Sequence, residues 1–235
     1  MIELYATHSP NVIKVFIALE ETALAYRETW VNVLGQEQFA PEFIKLNPNS
    51  KLPVIVDDDG PGGQPLTLSE SGAILVYLAD KTEQLIPKDK AAYFKTLQWV
   101  FHQHGGLGPM GGQLAHFVRF APPEAGAYPE QRYRTENNRL YDLYDSELAR
   151  RPYIAGEAFT IADIAVWPWV CYAEIHGLDL DRRPHFKDWF WRIAERPAVK
   201  RIVDRFGWPQ KTARIDQVSQ DNRDRFFGWG KYARR

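Results

Sequence analysis

Apolar and polar residues alternate over the opening MIELYA in the manner of a half-buried strand. Ser9-Pro10-Asn11 then opens a stretch with apolar residues at helical spacing, Val12, Val15, Phe16 and Leu19, which predicts a strand, a tight loop and a helix. A second strand is expected over 26–33, where Trp30, Val31 and Val33 suit a pleated surface, and a short helix over 38–46. Leu52-Pro53-Val54-Ile55-Val56 reads as a strand ending in Asp57-Asp58-Asp59-Gly60. After Gly62-Gly63, Pro65-Leu66-Thr67-Leu68 reads as its hairpin partner. Ser69-Glu70-Ser71-Gly72 begins a helix that continues through Ile74, Leu75, Leu78 and Ala79. The order β-α-β-α-β-β-α over residues 1–83 predicts a small mixed sheet covered by helices.

The pattern then changes. From Ala91 to about Phe206 only helical periods are found, such as Leu140, Leu143, Tyr144 and Leu148, and later Phe186, Trp189, Phe190 and Ile193. An all-α domain over 91–207 is therefore expected after a linker near 81–90. A tail over 208–235 is locally +4 and carries the aromatic patch Phe226-Phe227-Gly228-Trp229, which argues for some docking on the rest of the chain.

Composition narrows the function. The formal net charge is −1, which supplies no basic field for a phosphate backbone, so a nucleic-acid partner is not expected. The one cysteine, Cys171, excludes an intrachain disulfide, a cysteine zinc site and every C-x-x-C redox centre, and fits a reducing compartment. No apolar run approaches the roughly 20 residues of a membrane span, and the first ten residues lack the order of a secretory signal, so a cytoplasmic protein is expected.

Several short constellations carry chemistry, and each also has an ordinary structural reading. Ser9 and Asn11 flank a proline at a helix mouth, where they serve as an N-cap or converge on an anion such as a thiolate. Pro53 marks a strand start or, as a cis residue, presents the backbone of Leu52 to an extended peptide ligand. Glu70-Ser71-Gly72 is a helix start, and it is also a receptor for a zwitterionic amino-acid head. In that reading Glu70 meets the ammonium, and Ser71 with its N–H meets the carboxylate. Thr160-Ile161-Ala162-Asp163 reads as a structural capping box. The glycine-rich run 105–112 reads as a helix break that allows close approach rather than a phosphate loop. His102, His104 and His116 lack the spacing and acidic neighbours of a metal site.

Taken together, Ser9-Pro10-Asn11, Lys51-Leu52-Pro53, Glu70-Ser71-Gly72-Ala73-Ile74 and Thr160-Ile161-Ala162-Asp163 resemble the cytosolic glutathione S-transferase family. The finer likeness is to its bacterial Nu class, through Gln38-Phe39, Leu97-Gln98-Trp99, 105–110, Tyr141 and the run 161–169. The resemblance implies a thioredoxin-like N-terminal domain, an all-helical C-terminal domain, a homodimer, and glutathione bound in the first domain, with one or two molecules per subunit. It further implies a cis bond before Pro53, Leu52 pairing with the cysteinyl part, Glu70 and Ser71 holding the γ-glutamyl end, Gln38 and Lys51 near the glycyl end, and Arg132 as a further glutathione contact. The usual threonine of the class motif is Ser9 here, which keeps the hydroxyl.

With no cysteine in the first domain, glutathione has to supply the reacting sulfur. The expected catalytic pair is Ser9 and Asn11, with Tyr5 as a competing donor. The leading expectation is a glutathione-dependent disulfide-bond reductase; conjugation or ether cleavage of an aromatic electrophile, and a non-catalytic glutathione-binding module, stay open beside it.

Overall fold

Strand β1 (Ile2–Ala6) buries Ile2, Leu4 and Ala6 and leaves Glu3 and Tyr5 half-buried, the alternation its sequence dictates. Helix α1 (Pro10–Thr22) crosses back, so that β2 (Tyr26–Trp30) runs parallel to β1. The strands β3 (Val54–Asp57) and β4 (Leu66–Ser69) add as antiparallel neighbours, which makes one four-stranded sheet in the order β2-β1-β3-β4. The short α2 (Pro41–Leu46) and then α3 (Ser71–Thr82) complete this thioredoxin-like half. The helical half follows with α4 (Lys90–His102), α5 (Gly108–Arg119), α6 (Tyr128–Leu148), α7 (Ile161–Val170), α8 (Pro184–Ala194) and α9 (Pro197–Phe206). This is a computed structural model, and it describes residues 1–207 with Asp221, Asp224 and Phe227. The rest of the basic tail lies outside the described residues. Phe227 meets His116 edge-on at 4.8 Å and Phe120 at 5.5 Å, a contact with α5.

Several expected boundaries move, each for a local reason. Strand β2 stops at Trp30 because Asn32 starts a turn, its Oδ1 accepting the Gly35 N–H at 2.9 Å. The helix expected over 38–46 is split at Ala40, which is extended (φ −63, ψ 140) because Pro41 follows it and disfavours the helical basin. Strand β3 begins two residues after Leu52, since Pro53 has no N–H for a ladder. The glycine run does not break the chain: α4 passes through a π-helical turn, Gln103–Leu107, into α5. Close approach does hold there. A Cβ on Gly108 would stand 2.8 Å from the Gln103 Nε2, and one on Gly111 3.1 Å from the Trp169 ring.

One core cluster runs from Ile2 to Ile202, through both halves. Helix α1 lies at its centre, with every residue from Val12 to Leu19 buried and α3, α7 and α9 packed against it. Helix α9 is held there by Phe206, 4.8 Å from the Phe16 ring, and by Arg–Glu pairs that include Arg196 on Glu21, bidentate at 2.7 Å.

The capping box forms as expected. Thr160 Oγ1 accepts the Ala162 N–H at 3.2 Å, and Asp163 Oδ2 accepts the Thr160 N–H at 2.9 Å. The other oxygen, Oδ1, accepts from the Ile154 N–H at 2.9 Å and from the Trp189 indole at 2.8 Å. Burial pushes the Asp163 carboxyl up, and these donors pull against it. Asp163→Ala leaves three buried N–H donors without an acceptor, along with the Thr160 hydroxyl. At roughly 1–3 kcal/mol each, urea unfolding should show a loss of about 3 kcal/mol or more. A loss below about 1 kcal/mol would mean that the box does not hold this junction.

Candidate active site

Ser9 has an extended backbone (φ −151, ψ 154), and its Oγ accepts the Val12 N–H at 3.3 Å as the N-cap of α1. Pro10 occupies the first turn, where no N–H is needed. A hydroxyl that accepts this bond keeps its own proton to donate. The first turn of α1 carries no acidic residue, so the positive end of the helix dipole is uncompensated there.

Asn11 is the second residue of the helix, and its Oδ1 accepts the indole N–H of Trp169 from α7 at 3.2 Å. An indole only donates, so the amide oxygen faces Trp169 and the Asn11 NH2 is turned the other way. Both side chains line a cleft of about 310 Å³ between the two halves. Lys51, Leu52 and Pro53 form one wall, and the Leu52–Pro53 peptide is cis. Leu52 precedes Val54, the first residue paired in either β3 ladder, so the sheet does not use its backbone.

Glu70 and Ser71 close the far end. Glu70 is exposed and has φ 68, a strained conformation for a residue with a Cβ, of the kind that costs about 1–3 kcal/mol and clusters at functional sites. No side chain caps α3 there, which leaves its first N–H groups to a ligand.

The structure thus brings Asn11, Lys51, Leu52, Pro53, Glu70 and Ser71 onto one cleft, with Ser9 two residues from Asn11 at the same helix mouth. Ser9, Gln38 and Arg132 are not among its lining residues. Gln38 is buried and donates its amide to the Val33 carbonyl at 3.2 Å; Arg132 stands on α6 with 56% of its side chain exposed, 3.8 Å from Glu136. Tyr5 lines a separate hollow with Phe43, and burial raises its phenol pKa, so it is not placed to hold an anion in the cleft.

Four lining residues lay beyond the sequence reading, Lys14, Asn47, Asn49 and Gln103, and Trp169 entered it only as part of the 161–169 run. Lys14 is fully buried, and its Nζ donates to Gln103 Oε1 at 2.7 Å, to His104 Nε2 at 3.3 Å and to Ser71 Oγ at 3.5 Å. A lysine inside the apolar run Val12-Ile13-Lys14-Val15-Phe16 was the available signal. His104, considered above only against a metal reading, faces Ser71 Oγ at 3.1 Å through the same Nε2. Gly72 makes room for that ring, since a Cβ there would stand 2.9 Å from it.

Two family models match the chain: the glutathione S-transferase N-terminal domain over residues 8–81 and the C-terminal domain over 109–197. The disulfide-bond oxidoreductase YfcG of Escherichia coli is 45% identical over 85% of this chain and 93% of its own length. The chain belongs to the glutathione S-transferase family. Within that family it is also similar to the disulfide-bond oxidoreductase YghU of Escherichia coli, 37% identical over 88% of this chain and 76% of the relative. A glutathione transferase from Burkholderia graminis superposes with a TM-score of 0.82 at 42% identity, covering 90% of this chain and 89% of its own. That structure holds two glutathione molecules per subunit. One from Pseudomonas putida, TM-score 0.81 at 42% identity over 86% and 90% of the two chains, holds one glutathione disulfide per subunit.

Electrostatically, burial lowers the Lys14 pKa well below its ordinary value, against a smaller opposing pull from the Glu70 charge. Burial, with Lys14 beside it, pushes His104 down to about 4. At neutral pH the His104 ring is neutral, with Nδ1–H donated to the Val100 carbonyl at 2.8 Å and Nε2 left as an acceptor. The unfolded chain binds a proton on this ring below pH ~6.5, whereas the folded chain does so only near 4, so folding stability falls as pH drops through that window. His104→Gln should flatten the fall in unfolding free energy between pH 6.5 and 4, by at most about 1.4 kcal/mol per pH unit. An identical slope in both proteins would show that His104 already titrates normally.

Proposed function

We propose that this glutathione S-transferase family member is a glutathione-dependent disulfide-bond reductase in which bound glutathione attacks a disulfide. The observation that carries the reading is the Asn11 amide, turned by Trp169 so that its NH2 is the side left for an anion at the α1 mouth. The names of YfcG and YghU, and the glutathione or glutathione disulfide in the Burkholderia and Pseudomonas structures, support it.

The donor set fits the tripeptide. Glu70 takes the ammonium of the γ-glutamyl end, and the Ser71 hydroxyl with the uncapped α3 N–H groups takes its carboxylate. The Leu52 backbone pairs with the cysteinyl amide beside cis-Pro53, and Lys51 stands at the glycyl carboxylate. Gln38 steadies the neighbouring 33–38 loop from behind. Arg132, outside the cleft, is the proposed contact of a second glutathione.

Bound glutathione supplies the sulfur chemistry: its thiolate forms a new S–S bond with one substrate sulfur as the substrate S–S bond breaks, and a second glutathione thiolate then attacks the glutathione sulfur of that mixed disulfide, breaking its S–S bond to give glutathione disulfide; the two substrate thiolates released take up the two protons that the glutathione thiols gave up. Ser9 and Asn11 hold the thiolate. Lowering a thiol pKa from ~8.5 by about 2 units requires roughly 2.7 kcal/mol of preference for the anion. Two hydrogen bonds to a charged group, at ~1.5–3 kcal/mol each, with ~0.3–1 from the helix end, cover that. Cys171 does not line the cleft and takes no part.

A homodimer in the cytoplasm completes the proposal. The association is supported by Phe94 and Phe101, seven residues apart on α4 and 64% and 68% exposed. No described helix is long and apolar enough to cross a membrane.

Asn11→Ala should lower kcat/KM for glutathione-dependent reduction of a small hydroxyalkyl disulfide by about tenfold or more, with helix content unchanged. An unaltered rate would remove Asn11 from the thiolate site. Trp169→Phe keeps an aromatic ring at the site and deletes the orienting donor together with part of the ring's packing volume. Its loss should be about 2- to 12-fold, the equivalent of one net hydrogen bond of ~0.5–1.5 kcal/mol. Calorimetry with glutathione, read together with the ultraviolet thiolate band of the complex, tests the reading as a whole; no heat and no band would end it.

A further inference from the structure

Lys14 is the charged group that the proposed reaction does not use, and it is fully buried beneath the cleft. Its three neighbours come from two elements, Ser71 at the head of α3 and Gln103 with His104 in the π-helical turn of the other half. The facing charges are few. Glu70, beside Ser71 at the head of α3, carries the negative charge that acts on Lys14. The His104 ring on the π turn is neutral at working pH. Lys51 lines the opposite wall, and α7 presents the uncharged Trp169. Among the described residues no carboxylate bonds directly to Lys14.

Proton counting gives this arrangement two states. The Gln103 oxygen is an acceptor only, and His104 Nε2 is an acceptor because Nδ1–H is committed to Val100. An ammonium has three N–H donors, which serve Gln103, His104 and the Ser71 Oγ lone pair together, so the Ser71 proton is left to point into the cleft. A neutral amine has two N–H donors and a lone pair. Gln103 and His104 then take both donors, and the Ser71 hydroxyl turns inward to donate to the amine or the ring. Only the first state offers a hydroxyl proton to a ligand.

We propose that Lys14 is a positioning residue for the γ-glutamyl carboxylate: as that carboxylate docks on Ser71, Lys14 takes up one proton from solution and its ammonium turns the Ser71 hydroxyl toward the ligand. The inference rests on the glutamyl end of glutathione lying at Glu70 and Ser71. The carboxylate adds a second negative charge to the one that Glu70 already places near the buried amine, and proton and ligand therefore bind with mutual support. The residue touches the ligand only through Ser71, and the bond to Gln103 ties the same event to the helical half.

The test is calorimetry at pH 7 in two buffers of different ionisation enthalpy, using S-methylglutathione so that no thiol proton contributes. The second ligand is its analogue with 4-aminobutyrate in place of the γ-glutamyl residue, which lacks only the carboxylate in question. Wild type should take up a measurable fraction of one proton with S-methylglutathione and none with the analogue. Lys14→Gln should bind S-methylglutathione at least tenfold more weakly, show no uptake and lose most of the discrimination between the two ligands. Lys14→Arg, permanently charged, should keep the discrimination without uptake.

Equal weakening of both ligands by Lys14→Gln would reduce Lys14 to a structural role and overturn the proposal. So would wild-type binding without proton uptake, a result that stands whether or not the variants fold. Absence of heat with both glutathione and S-methylglutathione in wild type would instead sink the glutathione reading itself.

Discussion

Helix α1 is covered on every side, by the sheet, α3, α7 and α9, and everything the cleft does depends on that burial. Each large apolar side chain in its run from Val12 to Leu19 contributes about 1.5–3 kcal/mol relative to exposure, so the helix is not free to slide or rotate. Its first turn is thereby fixed against a wall built by the other half of the molecule. The Asn11–Trp169 bond spans that junction. A side-chain amide at an exposed helix end samples both flips, whereas here a donor-only indole selects one.

The two ends of the cleft use different electrostatics. At the α1 mouth there is no formal charge, only a hydroxyl, an amide and a helix dipole, a set that in the proposed reaction would favour a thiolate without binding it so tightly that its nucleophilicity is lost. The α3 end holds Glu70, with Lys14 buried below, a set that suits the γ-glutamyl end of the proposed ligand. Gly72 lets the halves approach closely, because a Cβ there would stand 2.9 Å from the His104 ring, while Gly108 and Gly111 make room inside the helical half for Gln103 and Trp169.

Local chemistry made much of this legible in the chain. The strand alternation of MIELYA, the α8 period through Phe186, Trp189 and Ile193, and the Thr160–Asp163 capping box all form where their patterns predict. The cleft residues Asn11, Leu52, Pro53, Glu70 and Ser71 were legible too, as each sits at a helix start or strand start with its own signature. The boundaries that moved did so under Pro41, Pro53 and Asn32, whose effects extend only a residue or two and are overrun by periodicity read over a longer window.

By itself, then, the sequence determined the element order, the family and the residue types at each mouth of the cleft, since these follow from neighbours within a turn or a strand. Tertiary structure alone decided that Trp169 takes the Asn11 amide oxygen, that Lys14 is buried rather than solvated, and that Ser9, Gln38 and Arg132 are not among the cleft lining. The first two outcomes depend on partners between 57 and 158 positions away, Ser71, Gln103 and Trp169, and no periodicity encodes which distant side chain will supply a donor or exclude water.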